Sequence, residues 1–308
     1  MNILITGVHG FVGSNLVADL KEQHTIYGLD ILSPQKEGVH NTFLWDELDR
    51  IPPVDIIIHL AGIAHDTKGK TTAQVYFNVN TGLTQRIFDW FLTTDSKKFI
   101  FFSSVKAAAD KMDKEVLTEE VVPAPKDPYG ESKIAAENYI LQKASVNKLV
   151  YILRPCMIHG TGNKGNLNLL FKLQQKGFPW PLGAFENKRT FCAIDNILFV
   201  VQQLIDKNIG AGIYQVADDG ALSTNELIRL MALSQNRKAK IWNIPVKLIE
   251  TIAGFGDHFH IPLNSQRLRK LTESYLVSNH KIKHALGIDK MPVTAIEGLQ
   301  KTFESYKK

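Results

Sequence analysis

The sequence predicts an α/β fold built on a doubly wound parallel sheet, with a smaller, interleaved C-terminal lobe. Three observations carry this. Short apolar runs alternate with stretches of helical periodicity as far as Pro155. A glycine-rich turn joins the first run to the first helical stretch. The runs Val54–Leu60 and Lys98–Ser103 are largely apolar, as strands buried on both faces must be.

In order, Asn2–Thr6 reads as a strand entering a tight turn, and Phe11–Lys21 as a helix with Phe11, Val12, Leu16, Val17 and Leu20 on its inner side. Thr25–Asp30 is a second strand and Val54–Leu60 a third. A long helix over Thr72–Leu92, a strand at Lys98–Ser103, a helix at Tyr129–Leu141 and a strand at Leu149–Arg154 follow. The rhythm then loosens: a glycine-rich loop at Gly160–Gly165, a helix, a turn at Pro179–Gly183, a helix at Ile194–Ile205 and a strand near Gly212–Val216. From Leu222 onward the pattern is mostly helical. Residues 1–163 and 193–217 are therefore expected to form the sheet domain, and 164–192 and 218–308 the smaller lobe.

With 44% hydrophobic and 22% charged residues, the 308-residue chain has the balance of a soluble globular protein. No apolar stretch is long enough to span a bilayer, and no basic segment precedes the apolar run at the start. Two cysteines without short spacing point to a reducing compartment, so a cytoplasmic protein is expected. The net charge of +5 is mild and its Lys and Arg look scattered, which argues against nucleic acid as a partner.

Gly7, Gly10 and Gly13 stand where the first strand turns into the first helix. Glycine suits a backbone that must turn sharply and approach a pyrophosphate, and the helix N-terminus adds unpaired N–H groups. Asp30 ends the second strand, where a carboxylate accepts hydrogen bonds from ribose hydroxyls and repels a 2′-phosphate. The unit reads as a Rossmann site for NAD rather than NADP. Tyr129 and Lys133 lie four apart on one helix face. A free phenol titrates near pH 10, roughly, and an ammonium beside a positive nicotinamide would lower that. Tyr129 would then take a proton from a substrate hydroxyl as hydride leaves. Ser104, at the end of a strand facing the crevice, would hydrogen-bond the reacting oxygen; Ser103 is a positioning neighbour.

Together these motifs resemble the extended short-chain dehydrogenases/reductases of the NAD-dependent nucleotide-sugar epimerase/dehydratase family. Its carriers are Thr6-Gly7-x-x-Gly10-Phe11-x-Gly13, Asp30, His59-Leu60-Ala61-Gly62, Asn78-Val79-Asn80, Ser103-Ser104, Tyr129-Gly130-x-Ser132-Lys133 and Leu153-Arg154-Pro155. The resemblance covers essentially the whole chain. It implies a catalytic set of Ser104, Tyr129 and Lys133. Gly7, Gly10, Phe11, Val12, Gly13, Asp30, Leu60, Ala61, Gly62 and Asn80 would surround NAD with Tyr129 and Lys133. A nucleoside diphosphate sugar would lie against the smaller lobe, near Ser104, Lys106, Asn166, Leu167, Arg189 and Arg267, with the Arg189 guanidinium matched to a phosphate. The family's dimers pair the helices around Asn78 and Tyr129, so a homodimer is expected.

The dehydratases resembling this chain carry Asp-Glu after the serine or threonine; Val105 and Lys106 stand there, which argues against 4,6-dehydration. A UDP-sugar 4-epimerase is expected, of the kind serving surface polysaccharides. The alternatives are a reductase of a UDP-4-keto-6-deoxy-N-acetylhexosamine and a non-catalytic dinucleotide sensor. His258 with His260, and His280 with His284, lack a ligand set, so no metal is expected. Ile241–Phe255 is apolar around Trp242, but Pro245 and few basic residues favour packing within the lobe over stable membrane association.

Overall fold

A computed structural model describes residues 1–64, 71–110, 116–163, 165–259 and 264–307, with the side chains of 166, 258 and 259 excepted. The chain runs β1 (Asn2–Thr6), α1 (Phe11–Leu20), β2 (Thr25–Asp30), β3 (Asn41–Leu44) and β4 (Ile56–His59). Then come α2 (Ala73–Tyr76), α3 (Leu83–Thr93), β5 (Lys98–Phe102), β6 (Val116–Leu117), α4 (Pro128–Lys143), β7 (Leu149–Pro155) and β8 (Met157–His159). α5 (Asn166–Gln175), β9 (Phe191–Ala193), α6 (Ile194–Asp206) and β10 (Gly212–Val216) follow. The last part holds α7 (Thr224–Ser234), α8 (Val246–Phe259), α9 (Ser265–Thr272), β11 (Leu276–Val277), α10 (His280–Leu286) and α11 (Ala295–Ser305).

Seven strands form one parallel sheet in the order β10-β7-β5-β4-β1-β2-β3. Strand β1 is central because both its faces are apolar. Ile3 and Ile5 join α1 and α6 in one core, and Leu4 joins α3 and α4 in the other. The order reverses between β1 and β4, and the crevice beyond that switch point is where such sheets bind ligands. Two further apolar clusters lie beyond the sheet. One gathers Leu167, Phe171, Met231 and Phe303, and the other Leu182, Ile249, Ala253 and Leu268.

Two features differ from the sequence expectation. The edge strand β3 escapes notice because four residues, two of them Asn41 and Thr42, carry too little apolar pattern. The helix expected over Thr72–Leu92 is not uniform: Phe77–Gly82 forms a π-helical turn between α2 and α3. Such turns turn a side chain inward that α-helical spacing would place elsewhere. Here the residue turned inward is Asn80, fully buried.

Candidate active site

The glycine turn is tight for steric reasons. Gly7 takes φ +68°, and its N–H donates to the Leu29 carbonyl at 2.8 Å. A Cβ on Gly13 would lie 2.5 Å from the Gly7 carbonyl oxygen and 2.9 Å from Val8 Cα. Helix α1 begins without a side-chain cap and without an acidic residue in its first turn. Its free N–H groups and positive dipole end are thus left for an anion. This cradle fits a pyrophosphate, while Phe11 and Val12 lean on the core behind it. Because backbone crowds position 13, Gly13→Ala is expected to weaken NADH binding at least tenfold, about 1.4 kcal/mol. A fluorescence titration with unchanged affinity would contradict the steric argument.

Asp30 closes the far side of the cradle. Its Oδ2 accepts from the His9 backbone N–H and faces His9 Nδ1, both at 3.1 Å, and its Oδ1 accepts from the Ile31 N–H at 2.8 Å. The carboxylate is thereby fixed at the end of β2.

Between β1 and β4 runs a buried relay that motif reading did not reveal. Thr6 Oγ1 accepts from the Leu60 and Ala61 N–H groups at 3.1 and 3.0 Å and lies 2.7 Å from His59 Nδ1. His59 Nε2 lies 2.9 Å from Thr84 Oγ1, which donates to the Asn80 carbonyl at 2.6 Å. One neutral tautomer satisfies the chain: Thr6 donates to Nδ1 and Nε2 donates to Thr84. Asn80 completes it, accepting from Ile63 N–H at 2.7 Å and donating to Ser132 Oγ at 2.9 Å. Leu60, Ala61 and Gly62 are thus pinned beside the switch point. A Cβ on Gly62 would meet Asn80 Oδ1 at 2.8 Å and Lys133 Nζ at 3.3 Å.

Burial, aided by the positive Lys133, pushes the His59 imidazole down to about 3. The unfolded chain, titrating near pH 6.5, roughly, binds a proton there that the folded chain refuses. Stability from this group is therefore full above about pH 6.5 and lost as pH falls toward 3. Urea unfolding should show a loss of about 2 kcal/mol from pH 7 to 5 due to His59. His59→Gln should flatten that dependence; an unchanged slope in the variant would contradict it.

Strand β5 delivers Ser103 and Ser104 in opposite directions. Ser103 turns inward and donates to Glu137 Oε1. Ser104 caps the short turn Val105–Ala107 by accepting from the Lys106 N–H at 3.2 Å, and its hydroxyl lies near enough to the Tyr129 phenol to favour the phenolate. Asp127 caps α4, accepting from the Gly130 N–H at 2.7 Å with Pro128 in the first turn, so Tyr129 emerges at the helix start. The Tyr129 ring meets Tyr76 edge-on at 6.1 Å. Burial pushes the phenol up, with the Ser104 hydroxyl opposing it. Lys133 sits one turn on, donating to the Phe102 carbonyl at 2.9 Å over the Phe101 ring. Burial lowers its ammonium to about 8, against the pull of Glu137. The expected direct relief of Tyr129 by Lys133 is not among the influences on the phenol, which burial dominates.

Beneath this set Glu137 and Arg154 form an ion pair that is 0% and 1% exposed, with Arg154 Nε at 3.0 Å and Nη2 at 2.5 Å from the carboxylate. The spacing of Glu137 one helical turn past Lys133 was its only signal.

The residues expected around a sugar nucleotide are placed less uniformly. Lys106 Nζ donates to the Asp110 carbonyl at 2.6 Å and lies over the Tyr275 ring. Asn166 opens α5 just after Gly165. Leu167 is buried in an apolar cluster, so its side chain is withdrawn from any ligand. Arg189 uses Nε on the Glu273 carbonyl at 3.0 Å and Nη2 on the Lys270 carbonyl. Two of its five donors thus hold the end of α9, which leaves Nη1 and the second Nη2 N–H for a ligand. Arg267 is exposed on α9. Tyr275 emerges as an unforeseen neighbour, its hydroxyl donating to the Ala109 carbonyl at 2.6 Å. It ties the strand after α9 to the turn that carries Ser104.

Among the described residues no three His, Cys, Asp or Glu side chains gather as a metal site. His280 and His284 stack on α10; the His258 side chain and all of His260 lie outside the described residues. Cys156 and Cys192 are buried in the core.

The family profile described as NAD dependent epimerase/dehydratase matches residues 3–217. The chain belongs to that family. UDP-glucose 4-epimerase of Vibrio cholerae is 30% identical over 99% of this chain and 95% of its own length. An N-acetyl-alpha-D-glucosaminyl-diphospho-ditrans,octacis-undecaprenol 4-epimerase of Escherichia coli O157:H7 is 28% identical over 80% of this chain and 76% of its own. UDP-glucuronic acid 4-epimerase of Bacillus cereus, solved with NAD, shares the fold across 100% of this chain and 99% of that one, with a TM-score of 0.76 at 19% identity. As a family member the protein is an NAD-dependent enzyme of the epimerase or reductase kind, and the Gly7–Gly13 cradle with Asp30 suits that cofactor.

Proposed function

We propose that this enzyme interconverts the two C4 epimers of a UDP-sugar. The observation that carries the reading is the buried Tyr129 phenol at the start of α4, which the neighbouring Ser104 hydroxyl acts to lower, with Lys133 one helical turn away. NAD, when bound, supplies the acceptor and later the donor of hydride. Tyr129 takes the proton of the C4 hydroxyl and Ser104 hydrogen-bonds the same oxygen. Lys133, fixed by the Phe102 carbonyl, stays beside the cofactor cradle, where its charge together with that of bound NAD would favour the phenolate form. Gly7, Gly10, Phe11, Val12, Gly13, Asp30, Leu60, Ala61, Gly62 and Asn80 hold the dinucleotide. Residues 164–192 and 218–308 hold the sugar nucleotide, with Lys106, Asn166, the Leu167 backbone, Arg189 and Arg267 as its contacts. Val105 and Lys106 supply no acid–base pair for dehydration.

Incubation with UDP-glucose or UDP-N-acetylglucosamine and no added reductant should yield the corresponding C4 epimer. Stoichiometric NADH consumption, seen only with a 4-keto-sugar, would instead identify a reductase, and tight NAD binding without turnover of either substrate a sensor. We further place the enzyme in the cytoplasm, serving surface polysaccharide synthesis as a homodimer paired through α3 and α4. Sedimentation equilibrium at micromolar concentration should give the dimer mass, and a monomer mass would refute the pairing.

A further inference from the structure

The packing expected for Ile241–Phe255 holds for only part of that segment. Ile249 and Ala253 of α8 are buried with Leu182 and Leu268. Leu248, Ile252 and Phe255 are 52%, 42% and 60% exposed. Their spacing of four and three residues puts them on one face, an apolar stripe about 10 Å long. Trp242, just before the helix, is 56% exposed. Three exposed cations, Arg237, Lys238 and Lys240, precede Trp242 and a fourth, Lys247, lies on α8, against the exposed acids Glu250 and Asp257 of that helix. The charge of the whole chain is also less scattered than it looks in sequence. Residues 164–192 and 218–308 carry 19 Lys and Arg against 10 Asp and Glu, and the remainder 17 against 21.

We propose that residues 237–255 dock this protein reversibly on an anionic lipid surface. An exposed Trp beside a basic cluster and an apolar helix stripe is the chemistry of the headgroup boundary, where apolar side chains enter the acyl edge and ammonium and guanidinium groups meet phosphates. A second copy is a poorer occupant, since it would bring the same four cations together. A neutral surface would leave those cations unanswered. The association is peripheral: no helix of the described residues is long and apolar enough to cross a membrane.

The test is co-sedimentation of the full chain with vesicles of phosphatidylcholine alone and with vesicles that also contain phosphatidylglycerol. The protein should sediment with the anionic vesicles at low salt, be released by high salt, and shift its Trp emission to the blue in a way Trp242→Phe abolishes. The triple variant Leu248→Gln, Ile252→Gln, Phe255→Gln should bind at least about tenfold more weakly while keeping its circular dichroism and NADH affinity. Should that variant misfold, Lys238→Glu with Lys240→Glu provides the same reading through charge alone. No sedimentation with anionic vesicles, equal binding to neutral ones, or an oligomer that the triple variant dissolves would each overturn the proposal. None of these outcomes depends on which sugar the enzyme accepts.

Discussion

Replacing Tyr129 by Phe is expected to lower kcat for C4 epimerisation by about 10³-fold. The variant keeps the edge-on contact with Tyr76 and the helix start at Asp127, so the fold and the cofactor cradle should survive. What disappears is the buried hydroxyl beside Ser104. Burial pushes that phenol up, so without cofactor it is protonated at neutral pH, and the phenolate must await the positive charges gathered in the complex. The loss should therefore appear in kcat while KM and NADH affinity stay within a few-fold. Steady-state assays of the variant and the parent, beside thermal melts, check this. A variant within tenfold of the parent would remove Tyr129 from the proton transfer.

Glu137→Ala should be the most damaging substitution to stability, at about 3–5 kcal/mol. The physical cause is asymmetric. Arg154 is almost wholly buried, its Nη1 lacks a partner among the described residues, and Glu137 supplies the counter-charge to its Nε and Nη2. Removing the carboxylate strands a guanidinium in the core and leaves Ser103 without its acceptor. Replacing both members, as in Glu137→Met with Arg154→Leu, removes the stranded charge and should restore much of the loss. Urea unfolding decides the matter. A single-variant loss below about 1 kcal/mol would show the pair to be dispensable.

Much of this was legible in the sequence, for a definite reason. The central strands are apolar on both faces, and the glycines at 7 and 13 stand where a side chain would be strained or clash, so both pattern and punctuation survive in one dimension. Ser104, Tyr129 and Lys133 were found because strand ends and helix starts fix where they point. What escaped depends on partners distant in the chain. Thr6 and His59 stand in recognisable motifs, but nothing local shows that they join Thr84 in one relay across three elements. The second task of Arg189, holding the Lys270 and Glu273 carbonyls, is invisible in the sequence because those carbonyls lie some eighty residues away. On α8, periodicity identified apolar positions but gave no means of telling the covered Ile249 from the uncovered Ile252.

The central claim is that the Ser104–Tyr129–Lys133 set works reversibly on a C4 hydroxyl. It is tested most directly by following the sugar by NMR after mixing the protein with NAD and UDP-N-acetylglucosamine or UDP-glucose, in parallel with Tyr129→Phe. The account predicts approach to an equilibrium mixture of the two C4 epimers, no net NADH, and no product from the variant. Unchanged UDP-sugar with fully NAD-loaded protein, or equal turnover by the variant, would contradict it.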